Sequence, residues 1–390
     1  MIMKRASFNI LFASLMSMVG INAWADESGS CGDGVTWSLS EGTLTISYSG
    51  SGTGAMDDYL FGITDKQPWS SSIESIKAIV IEEGVTSIGI SAFDGCSGLT
   101  SVTISNSVTS IGNNAFDGCS GLTSVIIPSS VTNIDRYAFN SCFSLASVTI
   151  PNSVNSIGEH AFYGCHNLTS VTLPNSVTSI GEQAFSGCEG LTSIIVQSEN
   201  TIYDSRDNCN AIIETHSNTL IYGCKNTVIP NSVTSIGNNA FYGCYLLTTV
   251  NIPNSVTTIG SDAFNSCFSL TSLTLPKSVK NIGSGAFLSC FGLTSIYSLV
   301  DNPMDISVDA FDESIYNNST LYVPDGTTSK YQACTGWQEF VNIVEGSPTG
   351  IISSKKDNNE KITYFTIDGM RNSKPQKGLN IINGKKVIVK

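Results

Sequence analysis

The chain has 390 residues, of which 13% are charged, and carries a formal net charge of −13. Its acidity lies between residues 26 and 350, where 29 acidic and 8 basic side chains leave a net charge of −21. Nucleic acids and anionic lipid surfaces bind basic faces, so this composition argues against both as partners.

Residues 1–25 have the pattern of a signal peptide. Lys4 and Arg5 precede an apolar run over residues 6–21, and the small residues of Ala-Trp-Ala follow at 23–25. The run is short for a bilayer, and no later segment reaches the roughly 20 apolar residues of a spanning helix. We therefore expect residues 1–25 to be cleaved, the mature chain to be exported to the cell surface or secreted, and no transmembrane span.

Residues 26–83 are predicted to form a β-rich N-terminal cap. Apolar and polar residues alternate over 35–39 and 43–46, as in strands with one buried face, and the Gly-rich segment 50–54 interrupts them. Trp37 and Trp69 can cover the apolar end of the segment that follows.

Over residues 84–300 a single pattern recurs with a fixed period of 23, apart from a longer interval at 197–228. A fixed period of this size is typical of a solenoid, which grows along one axis and need not divide into globular domains. One valine marks each regular turn, at Val85, Val108, Val131, Val154, Val177, Val233, Val256 and Val279.

Each turn contains two kinds of apolar spacing. In residues 122–127 the apolar side chains alternate as in a strand with one buried face, which predicts one short strand per turn in a parallel sheet. In residues 111–119 they share a helical face, which predicts a short helix or helical turn behind the strand. The residue after Ile111 is Gly in seven turns and Asp135 in one, which indicates a left-handed or otherwise sterically demanding backbone.

Two side-chain columns should fill the core. One is aromatic and runs from Phe93 to Phe311. The other consists of cysteines, which we interpret as small buried groups, although neighbouring turns bring them close enough for partial oxidation. The linear spacing does not suit a zinc site. The column cysteines are Cys96, Cys119, Cys142, Cys165, Cys188, Cys244, Cys267 and Cys290.

The chain resembles the BspA-type leucine-rich repeat family. The resemblance rests on Val-Thr-Ser-Ile-Gly, Ala-Phe-Xaa-Gly-Cys and Leu-Thr-Ser-Val-Thr-Ile/Leu-Pro in register from about residue 76 to residue 323. Where the general leucine-rich pattern has Asn or Cys after the strand, this chain has Ser107 or Ser130. The resemblance implies a leucine-rich-repeat solenoid of α/β class and a surface or secreted bacterial protein, often one linked to adhesion.

The repeat decays over residues 301–346, which we interpret as a C-terminal cap. Residues 347–390 differ in composition, since 351–390 carry 9 basic and 3 acidic side chains. This segment resembles the C-terminal sorting domains that the type IX secretion system of Bacteroidetes recognises. The resemblance implies that the segment contacts that secretion machinery. A basic tail without a sorting role is the alternative.

The outward-facing strand positions are the candidate ligand-binding face. They form an uncharged array that could dock an extended extracellular protein or glycan, or could serve only cross-strand packing. The candidate residues are Ser101, Thr103, Ser124, Ile126, Ser147, Thr149, Ser170, Thr172, Ser193, Ile195, Thr249, Asn251, Ser272 and Thr274.

No catalytic, cofactor or metal site is predicted. His160, His166 and His216 lack metal-ligand spacing and a nearby nucleophile motif. The densest acidic cluster, over residues 301–313, lacks the ligand spacing of a calcium loop, which favours a solvated surface. We therefore expect that the protein is not an enzyme. The two hypotheses are a binding or adhesion protein for host matrix proteins, other microbes or glycans, and a structural component of the bacterial cell surface without a dedicated ligand.

Overall fold

The computed structural model describes residues 27–59 and 66–346, together with the backbone of four strands between residues 364 and 389. The described repeats form a parallel-strand solenoid of about 12 turns with little helix, so the predicted leucine-rich-repeat fold is confirmed. The signal peptide expected in residues 1–25 lies outside the described residues.

One set of parallel strands, the face ladder, contains the strand expected in most turns. Equivalent residues of successive turns pair, as Ser124 does with Ser147 and Ser170 does with Ser193, so each side-chain column repeats one position of the pattern. The pairing is interrupted in places, and the ladder consists of several short sheets. Its strands are Ala78–Ile81, Ser101–Ile104, Ser124–Ile126, Ser147–Thr149, Ser170–Leu173, Ser193–Val196, Ser272–Leu275, Ser295–Ser298, Thr320–Val323 and Asn342–Glu345.

A second set of parallel strands, the side ladder, goes beyond the one strand per turn expected from the sequence. Each member is only a dipeptide, too short to show a period, and its isoleucine points into the core in nearly every turn. The strands are Ser87–Ile88, Ser110–Ile111, Asn133–Ile134, Ser156–Ile157, Ser179–Ile180, Ser235–Ile236, Thr258–Ile259 and Asn281–Ile282.

The segment behind the strands is irregular rather than helical. It runs as successive turns in every repeat, because left-handed residues such as Asn114 (φ 57°) and Gly118 (φ 68°) prevent a helix from continuing. Backbone hydrogen bonds to the next turn replace those of a helix. The amide of Phe93, for example, donates to the carbonyl oxygen of Ala115 at 2.8 Å. The apolar spacing in this segment therefore predicts which side chains are buried, but it does not predict a helix.

The recurring glycine at 89, 112, 158, 181, 237, 260 and 283 is required by close approach between turns. A Cβ added to Gly181 would lie 2.3 Å from the amide nitrogen of Glu159, and one added to Gly158 would lie 2.5 Å from that of Arg136. None of these glycines has a left-handed φ, so that part of the expectation is wrong. The left-handed residue lies two positions later, as at His160 (φ 55°).

In several turns a serine links adjacent turns where the general leucine-rich pattern would have Asn or Cys, although the equivalent hydroxyls of Ser153 and Ser255 are buried without a hydrogen-bond partner. The hydroxyl of Ser107 donates to the carbonyl oxygen of Val85 at 2.8 Å, and that of Ser176 donates to Val154 at 2.6 Å. Ser130 makes the same bond to Val108. Where the bond forms, the serine stabilises the stack directly.

Stacked phenylalanines fill the core in two runs. Neighbouring rings from Phe93 to Phe185 lie 5.2 to 5.5 Å apart, and those from Phe241 to Phe311 lie 4.8 to 5.4 Å apart. Burying each ring contributes about 2 kcal/mol. The column cysteines are free in the structure, and a thiol such as Cys142 donates to the carbonyl oxygen of Phe116 at 3.3 Å.

The N-terminal cap covers the first run of rings. Trp69 stacks on Phe93 at 5.6 Å, and Trp37 contacts Trp69 edge to face at 5.7 Å. The cap begins with an antiparallel meander, and the 3-10 helix Ser70–Ser75 follows it in the chain. The last strand of the meander pairs in parallel with Ala78–Ile81, the first strand of the face ladder. Its strands are Glu27–Gly32, Val35–Ser40 and Thr43–Tyr48.

The longer interval at 197–228 forms an inserted antiparallel meander. It consists of strands Tyr203–Asp204, Ala211–Glu214 and Thr219–Gly223, with the 3-10 helix Arg206–Asn208. The insertion separates the buried side chains into two clusters. On the turn side the regular stack continues across it, because the amide of Gly187 donates to the carbonyl oxygen of Tyr242 at 3.3 Å.

The C-terminal end of the solenoid is closed by aromatic side chains. Phe311 contacts Tyr316 and Phe340 edge to face, at 5.8 and 5.3 Å. The helical segments here are Glu313–Asn318, Thr328–Ala333 and the 3-10 helix Trp337–Glu339. Beyond residue 346, four strands form an antiparallel sheet: Tyr364–Thr366, Arg371–Asn372, Gly378–Ile382 and Lys385–Val389.

Candidate functional site

The face ladder presents two outward columns of side chains, here called the outer columns. In each strand the first and third residues point out and the second points in, as in Ser124, Val125 and Ile126, where only Val125 is buried. Of the fourteen residues predicted to line the binding face, eleven are exposed, while Ser193, Ser272 and Thr274 are half-buried.

One predicted turn departs from this arrangement. Thr249 and Asn251 are exposed, but residues 247–252 form no strand. The inserted meander lies beside Ser193–Val196, where the next repeat strand would otherwise pair. Residues 247–252 therefore have no aligned strand to pair with on the side of the insertion, and they do not join the face ladder. The predicted face thus consists of two parts, one on each side of the insertion.

The outer columns carry no charge from residue 78 to residue 297. Their apolar members are well exposed, with Ile126 at 74% and Ile195 at 51% of full exposure. Val228, at 71%, occupies the equivalent position in the divergent turn, two residues before a proline, and was not among the predicted residues. The face is therefore a mixture of hydroxyl and aliphatic groups.

Two tyrosines extend the same face and were also missed. Tyr297 pairs across the ladder with Thr274 on one side and Tyr322 on the other. The two tyrosine rings stack with their centroids 4.6 Å apart and their planes 15° from parallel. Tyr297 lies one full repeat period after Thr274, so the period alone could have identified it. Tyr322 lies slightly beyond the next position that the period would give, because the pattern has already decayed there.

A second exposed surface, the turn stripe, is formed by the residues that directly follow the column cysteines in the sequence. Its rings stack between turns, with centroids 4.9 Å apart for Phe143 and His166, 4.7 Å for Tyr245 and Phe268, and 5.8 Å for Phe268 and Phe291. Glu189 lies between the two groups. Phe268 and Phe291 are 43% and 62% exposed, which is unusual for large apolar side chains.

Two of the three histidines pack against neighbouring side chains. His160 is half-buried: its ring stacks on Tyr137 at 4.7 Å, and its Nε2 hydrogen-bonds to Oε1 of Gln183 at 3.1 Å. His166 lies on the turn stripe, and His216 is exposed in the inserted meander.

The other reactive side chains are similarly occupied. Burial raises the pKa of the Cys188 thiol to about 12, so this cysteine is a poor nucleophile. In the acidic cluster, Asp305 accepts a hydrogen bond from the amide of Thr335 at 2.7 Å, and Asp301 pairs with Lys277 at 3.1 Å. Within residues 27–59 and 66–346, no group of three or more His, Cys, Asp or Glu side chains is arranged to hold a metal ion.

Comparison with known proteins assigns the family. The model of the BspA type leucine-rich repeat region matches six copies, over residues 70–192, 132–220 and 212–334. The chain belongs to the BspA-type leucine-rich repeat family. Leucine-rich-repeat solenoids of this kind are typically not enzymes, and membership supports a protein-interaction role at a cell surface. A search among curated proteins finds no match.

Two solved structures from this fold family are similar over most of the chain. A leucine-rich repeat protein from Eubacterium ventriosum is 26% identical with a TM-score of 0.63, covering 77% of this chain and 78% of that one. A leucine-rich cell surface protein from Faecalibacterium prausnitzii is also 26% identical, with a TM-score of 0.55 and coverage of 83% and 96%. In the described part of this chain, no helix is long and apolar enough to cross a membrane.

Proposed function

We propose that this BspA-type chain is an exported adhesion protein that binds host matrix proteins, other microbes or glycans through its outer columns. The observation that carries the proposal is the exposure of Thr149 and Thr172 in register with Ile126 and Ile195, on strands fixed from behind by a buried core. A preformed surface of this kind binds without the entropy cost of ordering a loop.

Lysine substitutions on the face test this proposal. Thr149→Lys with Thr172→Lys places two charged side chains in the centre of the uncharged columns, and we expect binding to fall at least tenfold. The matched control is Asn155→Lys with Thr178→Lys, which alters exposed positions of the same two turns outside the face ladder. Binding of the full chain to matrix proteins, mucin and glycans, measured by surface plasmon resonance, reports the effect. Equal losses in both double variants would contradict the proposal.

Export and sorting are part of the same proposal. The signal peptide pattern of residues 1–25, the basic segment 347–390 and its resemblance to type IX sorting domains of Bacteroidetes support delivery to the cell surface. Deleting residues 351–390 should leave the protein unattached or inside the cell in a host that uses type IX secretion. Normal surface delivery of the truncated chain, detected by surface proteolysis, would exclude the sorting role.

The turn stripe favours a second candidate, a structural component that contacts other cell-surface molecules without a dedicated ligand. Phe268 and Phe291 are exposed and lie outside the strands that carry the outer columns. Replacing both with serine should then disturb surface assembly while leaving ligand binding unchanged. Unchanged assembly would leave only the adhesion role.

A further inference from the structure

We propose that Tyr297 is the stacking platform of a binding site for a neutral pyranose sugar, with Thr274 and Asn251 as its hydrogen-bonding groups. The site lies on the C-terminal part of the outer columns, so it rests on the proposed function and names one ligand class for it. None of the three side chains takes part in closing the core.

Tyr322 covers one face of the Tyr297 ring, and its own ring lies 4.6 Å away and nearly parallel. The Tyr297 side chain is half-buried, so part of its ring is open to solvent. On the open side its cross-strand partner is Thr274, and Asn251 occupies the same repeat position one turn further. Threonine is shorter than tyrosine, so the outer part of the ring stands above Thr274. Thr274 is half-buried and lies beside the ring through its strand pairing, whereas Asn251 is exposed in a turn that forms no strand.

These groups match the chemistry of a sugar ring. A pyranose has a face of polarised C–H groups, which docks on the electron-rich face of an aromatic ring. Its hydroxyl groups lie around the edge and both donate and accept hydrogen bonds. The hydroxyl of Thr274 can do the same, and the amide of Asn251 offers two donors and an acceptor. An exposed amide, a half-buried hydroxyl and a partly exposed ring thus occupy the same repeat position in three successive turns.

The charge distribution selects a neutral sugar. The outer columns are uncharged up to Tyr297, whereas residues 26–350 together carry a net charge of −21. The surrounding negative potential disfavours sialylated, sulfated or phosphorylated ligands. The outer columns also carry no acidic side chain that could pair with a strongly cationic ligand. A neutral, hydroxyl-rich ligand is the class that this environment accepts.

The sheet geometry argues for recognition by side chains and not by strand addition. Tyr297 lies on Ser295–Ser298, an inner strand with partners on both sides. Its backbone groups are therefore already paired, and an extended peptide cannot add to the sheet there, as it does at an exposed edge. Only the side chains are available to a ligand at this position.

Binding to a glycan array tests the proposal. The full chain is applied to neutral oligosaccharides of hexoses and N-acetylhexosamines, each printed beside its sialylated or sulfated counterpart. We expect selective binding to neutral members. Tyr297→Ala should weaken that binding about tenfold, the effect of losing roughly 1.4 kcal/mol, which lies within the range for an aromatic contact.

The matched control is Tyr245→Ala, which removes a stacked tyrosine from the turn stripe and leaves the outer columns intact. Circular dichroism verifies the fold of both variants, and Asn251→Ala provides a second variant outside the strands. Absence of neutral-glycan binding by the wild type, a preference for charged glycans, or equal binding by Tyr297→Ala would overturn the proposal. If matrix-protein binding still responds to Thr149→Lys with Thr172→Lys, the adhesion role stands without the sugar site.

Discussion

The hydroxyl of Tyr222 donates a hydrogen bond to the carbonyl oxygen of Gly181 at 2.6 Å, joining the inserted meander to the turn that precedes it. The Tyr222 hydroxyl oxygen also accepts a hydrogen bond from the amide of Ala184 at 2.9 Å. The Tyr222 ring packs edge to face on Phe185 at 5.7 Å. One side chain thus closes the first run of core rings and bridges the Ala184 amide and the Gly181 carbonyl oxygen. In other turns the equivalent two groups bond to each other directly, as those of Ala161 and Gly158 do.

We expect Tyr222→Phe to lower the free energy of unfolding by about 1 to 3 kcal/mol. The substitution keeps the ring but leaves a buried amide and a carbonyl oxygen without their partner, and the cost of an unsatisfied buried group is of that size. Urea denaturation followed by circular dichroism measures the change. Tyr245→Phe, which alters a half-buried tyrosine on the turn stripe, is the control and should have little effect. Similar stability of the two variants would show that the Tyr222 hydroxyl does not secure the insertion.

The fold could be predicted from the sequence because each turn repeats the same core positions. Val108, Ala115, Phe116, Cys119 and Leu122 are all fully buried, as their regular recurrence indicates. The irregular back of each turn could not be predicted equally well. Apolar spacing records which side chains face inward, and a run of turns with alternating backbone handedness buries the same positions as a short helix would.

The candidate face was predictable in part for the same reason. Thr103 and Thr149 lie where strand alternation places them. Thr249 is not in a strand, because the inserted meander lies where its turn would pair, and the sequence does not reveal the path of that insertion. Tyr297 satisfied the period but differs in chemistry from the hydroxyl and aliphatic residues of its column. A search by position instead of residue type would have included it.

A pair of phenylalanines in one turn separates core packing from surface stacking. Phe264 is fully buried between Phe241 and Phe287, while Phe268 is 43% exposed between Tyr245 and Phe291. Phe264→Ala should cost about 3 to 5 kcal/mol, because it leaves a cavity in the ring column. Phe268→Ala should cost about 1 kcal/mol, comparable to the stacking contact alone.

Equilibrium denaturation of the two variants, compared at the same temperature, checks this difference. Because both changes remove the same atoms from neighbouring positions, they differ mainly in burial. Equal costs would mean that the turn stripe is packed as tightly as the core, and would remove the reason for regarding it as an open contact surface.

The Asp94 carboxyl should make stability depend on pH. Burial, and next the neighbouring Asp117, raise the pKa of Asp94 to about 6 in the folded chain, against about 3.9 for an unfolded aspartate. The folded state therefore binds this proton more tightly, and the free energy of unfolding falls as pH rises from about 4 to about 6, then levels off. Because Asp94 is half-exposed, solvent screening reduces the effect to about 1 kcal/mol.

Asp94→Asn removes this titration. The variant should match the wild type near pH 4 and exceed its stability by about 1 kcal/mol near pH 7, as measured by urea midpoints at both values. Asp33→Asn provides a control of opposite sign, because the amide of Thr53 donates to Asp33 at 2.8 Å and lowers its pKa. That variant should lose stability above pH 4, where the native carboxylate is ionised. An Asp94→Asn chain that is less stable than the wild type near pH 7 would show that the ionised carboxylate makes a favourable contact which outweighs its burial and its repulsion from Asp117.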